Sequence, residues 1–397
     1  MHASRWSLDK ITFVTQTREK KEKMEESFGE EKTMFWRPIE PSDVRLLSSE
    51  GYVVLDDFIR DERVAKKMRD ELCSMPIGDD GESEPSSLEE SAPRLKPNRT
   101  HFTDAKNNAR YLFSKPGVFE YDMHMNMSGT DAMETLHRFF ESSGKHLANA
   151  FNEAAAKAFS ETDEEKGEEG KQERQRAQNS VRVKPGDENR TVKLQINTCG
   201  AFPYHFDNPG GAHQNRKLTC ILYLNEAYED KCGGEIVLVP FMGPFVTIRP
   251  TFNRLVVFQS ESMLHRVNKA VNFPGKGRAC LTIWLDGAEE NNDNASSENN
   301  RNIRNDLVQL LSSPPEDLIS YIRQTPDAQR FLSRWTYRDE YEISLLESHP
   351  GKGLEHMLEA HEDAIRRQRK IKDEELLRVL ERVREMRREE KMKIVRL

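Results

Sequence analysis

The sequence predicts an α+β fold: a β-sandwich or barrel over residues 191–287, with helical segments before it and a helical extension after it. Three observations predict this. Apolar residues recur with a period of two within that window, which is the strand spacing. The window holds short β-rich runs, TVKLQIN, KLTCILYL, GEIVLVP, FVTIRP, RLVVFQS and RACLTIWL, separated by the turn residues NPGG, CGG, MGP, RPTFN and FPGKG. On either side the spacing becomes helical or the composition becomes polar.

The bulk numbers bound the rest. A chain of 397 residues allows one large domain or two, plus tails. With 36% hydrophobic and 32% charged residues it is polar for a globular protein, so part of it is expected to be disordered or solvated helix. A net charge of −8 argues against nucleic acid as the partner. No apolar run is long enough to span a membrane, and MHASRWSLDK lacks the apolar core of a secretory signal, so the expected location is cytoplasmic or nuclear. The five cysteines are irregularly spaced with no C-x-x-C, which predicts free thiols.

In chain order, residues 1–37 form a charged segment containing the solvated run REKKEKMEESFGEEK. Residues 38–160 read as a helical N-terminal part of the same region as the strands. Within it, GYVVLDDFI is a short buried strand, and DERVAKKMRDELCSM is a helix facing inward through Val64, Met68 and Leu72. A flexible loop follows at 76–100, rich in Ser, Pro, Glu and Gly. Met133, Leu136, Phe140, Leu147 and Phe151 mark a further helix. Residues 161–190 read as a disordered acidic insert. After the strand region, 288–302 is a polar linker and 303–397 a charged helical region. There Ser313 and Glu316 stand at capping-box spacing. A thin seam at Leu376, Leu380 and Val383 spans too few heptads for a coiled coil, which leaves a surface-packed helix and an open oligomeric state. No internal repeat is present.

Chemistry concentrates in LQINTCGAFPYHFDNPGG. On a strand, residues i and i+2 share a face, about 6.6 Å apart, so His205 and Asp207 can reach one ion while Phe206 points away. His265, in SESMLHRV, follows an apolar strand and a polar turn; alone it would read as a surface histidine, but behind the H-x-D it reads as a third ligand. Two histidines and one carboxylate leave open metal positions, the pattern of non-haem iron(II) oxygenases. The chain contains its own control. His361 and Asp363 also form H-x-D, but in a helical segment, where i and i+2 do not face each other; a solvated face is expected. His101, His124 and His213 lack such company and read as structural or exposed.

Arg278 opens RACLTIWL and shares a face with Cys280, Thr282 and Trp284. An arginine facing a barrel interior must be paired, and a bound dicarboxylate fits the guanidinium fork; the other reading is an arginine at the barrel rim. Tyr223 shares a face with Thr219 and Ile221, and its hydroxyl can donate to the same carboxylate or simply pack in the core.

The pieces HFDNPGG, KLTCILYLNEAY, CGGEIVLVPF, IRPTFNRLVVFQS, HRV and GRACLTIWLDG resemble, in kind and order, the iron(II)- and 2-oxoglutarate-dependent dioxygenases. Within them the chain is most similar to the prolyl 4-hydroxylase group, and there to the oxygen-sensing type. EGYVVLDDFIRDE resembles the usual start of such catalytic regions. The resemblance covers 191–287, about a quarter of the chain. It implies a double-stranded β-helix, or jelly roll, with His205, Asp207 and His265 as Fe(II) ligands and Arg278 on the distal carboxylate of 2-oxoglutarate, assisted by Tyr223. It also implies O2 as oxidant, release of succinate and CO2, support by L-ascorbate, and a proline-containing protein or peptide as substrate. Departures are informative. A tyrosine common before the H-x-D is replaced by the Asn197 and Cys199 region. Arg278 stands where collagen-type members carry lysine. Trp284 stands where nucleic-acid demethylases have a second arginine, and Cys280 breaks the R-x-S of plant oxidases. Two alternatives remain: a dioxygenase acting on another residue or a free amino acid, and a non-catalytic metal-binding interaction module.

Overall fold

The computed structural model describes residues 35–78, 93–103, 110–123, 131–160, 168–186, 190–210, 215–287, 295–349, 351, 353–389 and 394–396. The predicted charged segment lies outside these residues up to position 34, as do His124, His213 and the side chain of His101.

The chain begins with helix α1 (Pro41–Glu50), opened by a capping box between Glu40 and Asp43 and closed by Gly51 in the left-handed conformation. Strand β1 (Tyr52–Leu55) follows, then α2 (Glu62–Ser74), capped by the Asp61 side chain. α2 buries Ala65, Met68 and Leu72. Strands β2 (Lys96–Thr103) and β3 (Arg110–Met123) precede α3 (Glu134–Ala158) and α4 (Glu168–Val181). α3 buries the expected stripe of Leu136, Phe140, Leu147 and Phe151. The strand-rich region runs through β4 (Arg190–Asn197), β5 (Phe202–His205), β6 (Arg216–Tyr223), β7 (Ile236–Val239), β8 (Phe245–Ile248), β9 (Arg254–Gln259), β10 (Leu264–Val267) and β11 (Arg278–Asp286). Helices α5 (Ala295–Gln309), α6 (Pro315–Gln324), α7 (Pro326–Thr336), α8 (Arg338–Ser348), α9 (Leu354–Arg369) and α10 (Glu374–Glu389) follow, and β12 (Ile394–Arg396) pairs in parallel with β8.

Two sheets build the jelly roll. The larger has the order β1-β9-β6-β11-β4-β3-β2 and the smaller β12-β8-β7-β10-β5. Apolar side chains from both sheets meet between them: Ile221, Tyr223, Val256, Phe258 and Cys280 from the larger, Ile236, Leu238, Val246 and Ile248 from the smaller. The N-terminal helices lie against the larger sheet. The C-terminal helices cover the outer face of the smaller one, where Tyr204, Val237, Val239 and Phe245 pack against Leu332, Trp335, Tyr337, Leu380 and Val383. No helix among the described residues is long and apolar enough to cross a membrane.

Several expectations are corrected. The sheet is not confined to 191–287: the strand expected in GYVVLDDFI joins it as β1, and β2 and β3 add to it from the part read as helical. Residues 96–100, expected inside a flexible loop, belong to β2; as an edge strand it tolerates Pro97. Residues 168–181, expected disordered, form α4. Their Glu, Lys, Gln, Arg and Ala are good helix formers, and Ser48 Oγ of α1 donates to Ala177 O at 3.1 Å. The second half of the predicted linker is the start of α5. Ser313 does not cap α6; Pro314 holds the cap position and makes no side-chain cap bond. The C-terminal seam packs as a surface helix would, with Leu380 and Val383 fully buried and Trp335 Nε1 donating to Leu380 O at 3.0 Å.

His361 is also corrected. It is buried rather than solvated. It stacks on Tyr341, and its Nε2 sits 3.1 Å from the carbonyl of Arg338, to which it donates. Burial, helped by Arg334, lowers its pKa. The unfolded chain therefore takes up a proton near pH 6.5 that the folded imidazole refuses. Its contribution to stability is complete above that pH and is lost as pH falls towards the folded value. Thermal unfolding followed from pH 7.5 down to 5 is expected to show a falling midpoint, with a shallower slope in His361→Gln.

Candidate active site

β5 is a four-residue strand ending at His205, and it pairs antiparallel with β10 so that His205 and His265 stand directly opposite. Alternation along β5 turns Tyr204 outward under the C-terminal helices and His205 inward. Asp207 lies in the bend just after the strand rather than on it. It still approaches both imidazoles: Oδ1 is 3.4 Å from His205 Nε2 and 3.7 Å from His265 Nε2. The three ligand-type atoms all lie within 4.8 Å of one another.

Each of the three is held by neighbours. His205 Nδ1 is 2.8 Å from Pro203 O, and His265 Nδ1 is 3.1 Å from Met263 O. A carbonyl can only accept, so each ring carries its proton on Nδ1 and presents a lone pair on Nε2. Asp207 Oδ2 accepts from Thr219 Oγ1 at 2.8 Å and from Trp284 Nε1 at 2.9 Å. Because the Thr219 proton is committed to the carboxylate, Ser260 Oγ, 2.8 Å away, donates to Thr219. Thr219 of β6 and Trp284 of β11 are cross-strand partners, and the Arg216 guanidinium lies 4.3 Å over the indole. One carboxylate oxygen is thus occupied by hydrogen bonds, and the other faces the imidazoles.

The electrostatics agree. Burial alone would raise the Asp207 carboxyl. The imidazoles of His265 and His205 and the Trp284 N–H outweigh it and hold the group well below the usual carboxylate range. Burial, reinforced by His205, lowers His265 to about 4, so its imidazole is neutral at pH 7. Two imidazole nitrogens and one ionised oxygen on one side of a cavity fit a divalent first-row metal with vacant positions. The open side is at His205, whose side chain is 39% exposed against 4% for His265.

Arg278 opens β11 and is 1% exposed, so the rim reading fails. Its Nε donates to Gly234 O at 2.7 Å, Nη2 to Tyr223 OH at 3.2 Å and Nη1 towards Cys280 Sγ at 3.4 Å. Gly234 has φ of +73° and its missing Cβ would fall 2.9 Å from Arg278 Cδ, so glycine makes room for this approach. Asn225 fixes the strand start by accepting from Ala279 N at 2.7 Å. Burial pushes the Tyr223 phenol up to about 12, which keeps it a neutral donor. Among the described residues no carboxylate pairs with Arg278. All of its partners are uncharged, so its charge awaits an anion.

The two groups expected from sequence, His205/Asp207/His265 and Arg278/Tyr223, are each brought together. Thr219, Ser260 and Trp284 were not assigned a role from sequence. The available signal was strand parity, which places Trp284 on the face of Arg278 and Thr219 on that of Tyr223. Asn197 closes the turn into β5: its side chain accepts from Gly200 N at 2.6 Å and donates to Gly200 O at 2.9 Å. Cys199 is exposed.

Comparison with known proteins agrees with this geometry. Residues 192–286 match the family model described as the 2OG-Fe(II) oxygenase superfamily. Rat "Egl nine homolog 1" is 36% identical over 89 residues, 22% of this chain and 25% of that protein. Mouse "Prolyl hydroxylase EGLN3" is 36% identical over 88 residues, 22% of this chain and 35% of that protein. The match thus spans about a third or less of each relative's length. Among solved structures, one of prolyl 4-hydroxylases from Phytophthora capsici superposes with a TM-score of 0.58 at 27% identity, covering 88% of this chain and 92% of that one. The domain centred on residues 192–286 is a 2OG-Fe(II) oxygenase domain similar to those of the prolyl hydroxylase group.

Proposed function

We propose that the chain is an Fe(II)- and 2-oxoglutarate-dependent dioxygenase that hydroxylates a prolyl residue of a protein or peptide, with O2 as oxidant, succinate and CO2 as products and L-ascorbate as supporting reductant. The observation that carries the reading is the pairing of a two-histidine, one-carboxylate cluster with a buried arginine that has no acidic partner among the described residues. The cluster by itself suits several divalent metals, and the arginine by itself suits many anions. Together they fit a metal plus a dicarboxylate. The names and overall shape of the similar prolyl hydroxylases support proline as the target.

In this reading His205, Asp207 and His265 hold the iron. Bound iron(II) supplies the site where dioxygen is activated and the keto acid is oxidatively decarboxylated. The chain does the rest. Arg278 receives the distal carboxylate of 2-oxoglutarate, and Tyr223 OH, already 3.2 Å from Nη2, donates to the same group. Thr219 and Trp284 keep Asp207 Oδ1 turned to the metal by occupying Oδ2. The Pro203 and Met263 carbonyls fix both tautomers.

Purified chain supplied with Fe(II), ascorbate and 2-oxoglutarate is expected to form succinate, and Asp207→Ala to form none. Metal-loaded wild type that makes no succinate with or without peptides would favour the binding-module alternative. Cellular proteins expressed beside the wild type are expected to carry +16 Da prolyl residues that are absent with His205→Ala. In Trp284→Phe, divalent-metal affinity measured by calorimetry is expected to fall about 10- to 100-fold through loss of the bond to Oδ2. In Arg278→Lys, the KM for 2-oxoglutarate is expected to rise by about tenfold or more with a smaller change in kcat, because an ammonium cannot reproduce the bidentate fork.

A further inference from the structure

The C-terminal helices do more than cover the smaller sheet: one of them reaches the turn between β9 and β10. That turn, residues 260–263, meets the metal-type cluster at three points. Ser260 Oγ donates to Thr219 Oγ1 and so backs the Asp207 carboxylate. Ser260 O accepts from Asn208 N at 3.0 Å, in the loop that follows the H-x-D. Met263 O, at 3.1 Å, holds the Nδ1 proton of His265. A connecting turn has no ladder of its own, so its position is set by whatever it bonds.

Arg330 of α7 supplies the bond from outside. Its side chain is 16% exposed, and Nη1 donates to Glu261 O at 2.9 Å. Among the described residues no other group donates to that carbonyl. Nη2 pairs with Asp327, one turn back on the same helix, which holds the guanidinium in place. The guanidinium also lies against Gly210, where a Cβ would stand 3.3 Å from Nε and 3.4 Å from Nη2. Gly210 has φ of +86°, and its N–H donates to Asn208 Oδ1 at 3.0 Å. One guanidinium is thus wedged between the turn that carries Met263 and the loop that follows Asp207. The extension behind it is anchored. Leu332 of α7 is fully buried, and Gln368 Nε2 of α9 donates to Phe331 O at 2.8 Å. Ser344 Oγ of α8 accepts from Tyr204 N at 3.1 Å, which bolts the extension to β5 itself.

We propose that Arg330 is a positioning residue for the metal site, through which the C-terminal extension presses the β9–β10 turn onto the loop after Asp207. This rests on the metal reading of His205, Asp207 and His265 given above. With the guanidinium gone, Glu261 O loses its donor and the turn is free to drift. Met263 O then no longer fixes the His265 tautomer, and Ser260 no longer backs Thr219. Both losses reach the ion without any contact between it and Arg330. Groups that orient metal ligands are worth about 10- to 100-fold in affinity, and Arg330 acts one step further out, so about tenfold is expected.

The test titrates the full-length, metal-free chain with Co(II), reading affinity by calorimetry and coordination geometry by visible absorption. In Arg330→Met, Co(II) affinity is expected to fall about tenfold with shifted ligand-field bands. Arg330→Lys keeps one N–H donor for Glu261 O and is expected to recover most of the affinity. Trp335→Phe, which breaks the bond to Leu380 O elsewhere in the extension, is the control. Its thermal midpoint is expected to fall while Co(II) affinity and bands stay as in wild type. Wild-type affinity and bands in Arg330→Met overturn the proposal, as does an equal loss of affinity in Trp335→Phe, which would make the role one of bulk stability. If Arg330→Met does not fold, Arg330→Gln, still polar but too short to reach Glu261 O, is read in its place; if neither folds, the proposal falls. A wild-type chain that binds no Co(II) sinks the metal reading itself, whereas binding that the Arg330 variants leave untouched sinks only the positioning role.

Discussion

The site depends on how the Asp207 carboxylate is divided. One oxygen is saturated by a threonine hydroxyl and an indole N–H, each a hydrogen bond to a charged acceptor worth about 1.5–3 kcal/mol. The other therefore has a single direction left, towards the two imidazoles. Asp207 follows the end of its strand, where backbone pairing no longer orients it. The orientation is imposed from β6 and β11 of the opposite sheet. Both sheets thus own part of the cluster: the smaller supplies the histidines, and the larger aims the carboxylate.

Arg278 extends this logic to charge. Its guanidinium is buried among a carbonyl, a phenol and a thiol, so solvation is replaced by dipoles but no opposite charge is provided. A glycine at position 234 and an asparagine at 225 maintain the arrangement. A cation held in this way is stabilised by any anion that reaches it.

Much of the β region and the metal-type triad was legible from the chain because both rest on local rules. A period of two identifies strands, and H-x-D means something only on or beside one. What escaped was set by distant partners. β2 and β3 contain Pro97, Gly117 and many polar residues, and they become strands only because β4 offers an edge. Helix α4 looks disordered in isolation, yet Val181 and Ala177 dock it against α3 and α1. His361 is polar among charged neighbours, and nothing local announces that Tyr341 and Arg338 will enclose it. Thr219 and Trp284 fit the strand pattern, but strand parity gives a face and not a partner.

The bolt between Tyr204 and Ser344 spans 140 residues, and Asn253 clasps both backbone groups of Ile59 across 194. Contacts so remote in sequence close late during folding, because loop entropy is lost before they repay it. Until they close, His205 and His265 are isolated imidazoles with the low, unselective affinity of any exposed histidine. Choice of metal therefore belongs to the finished architecture.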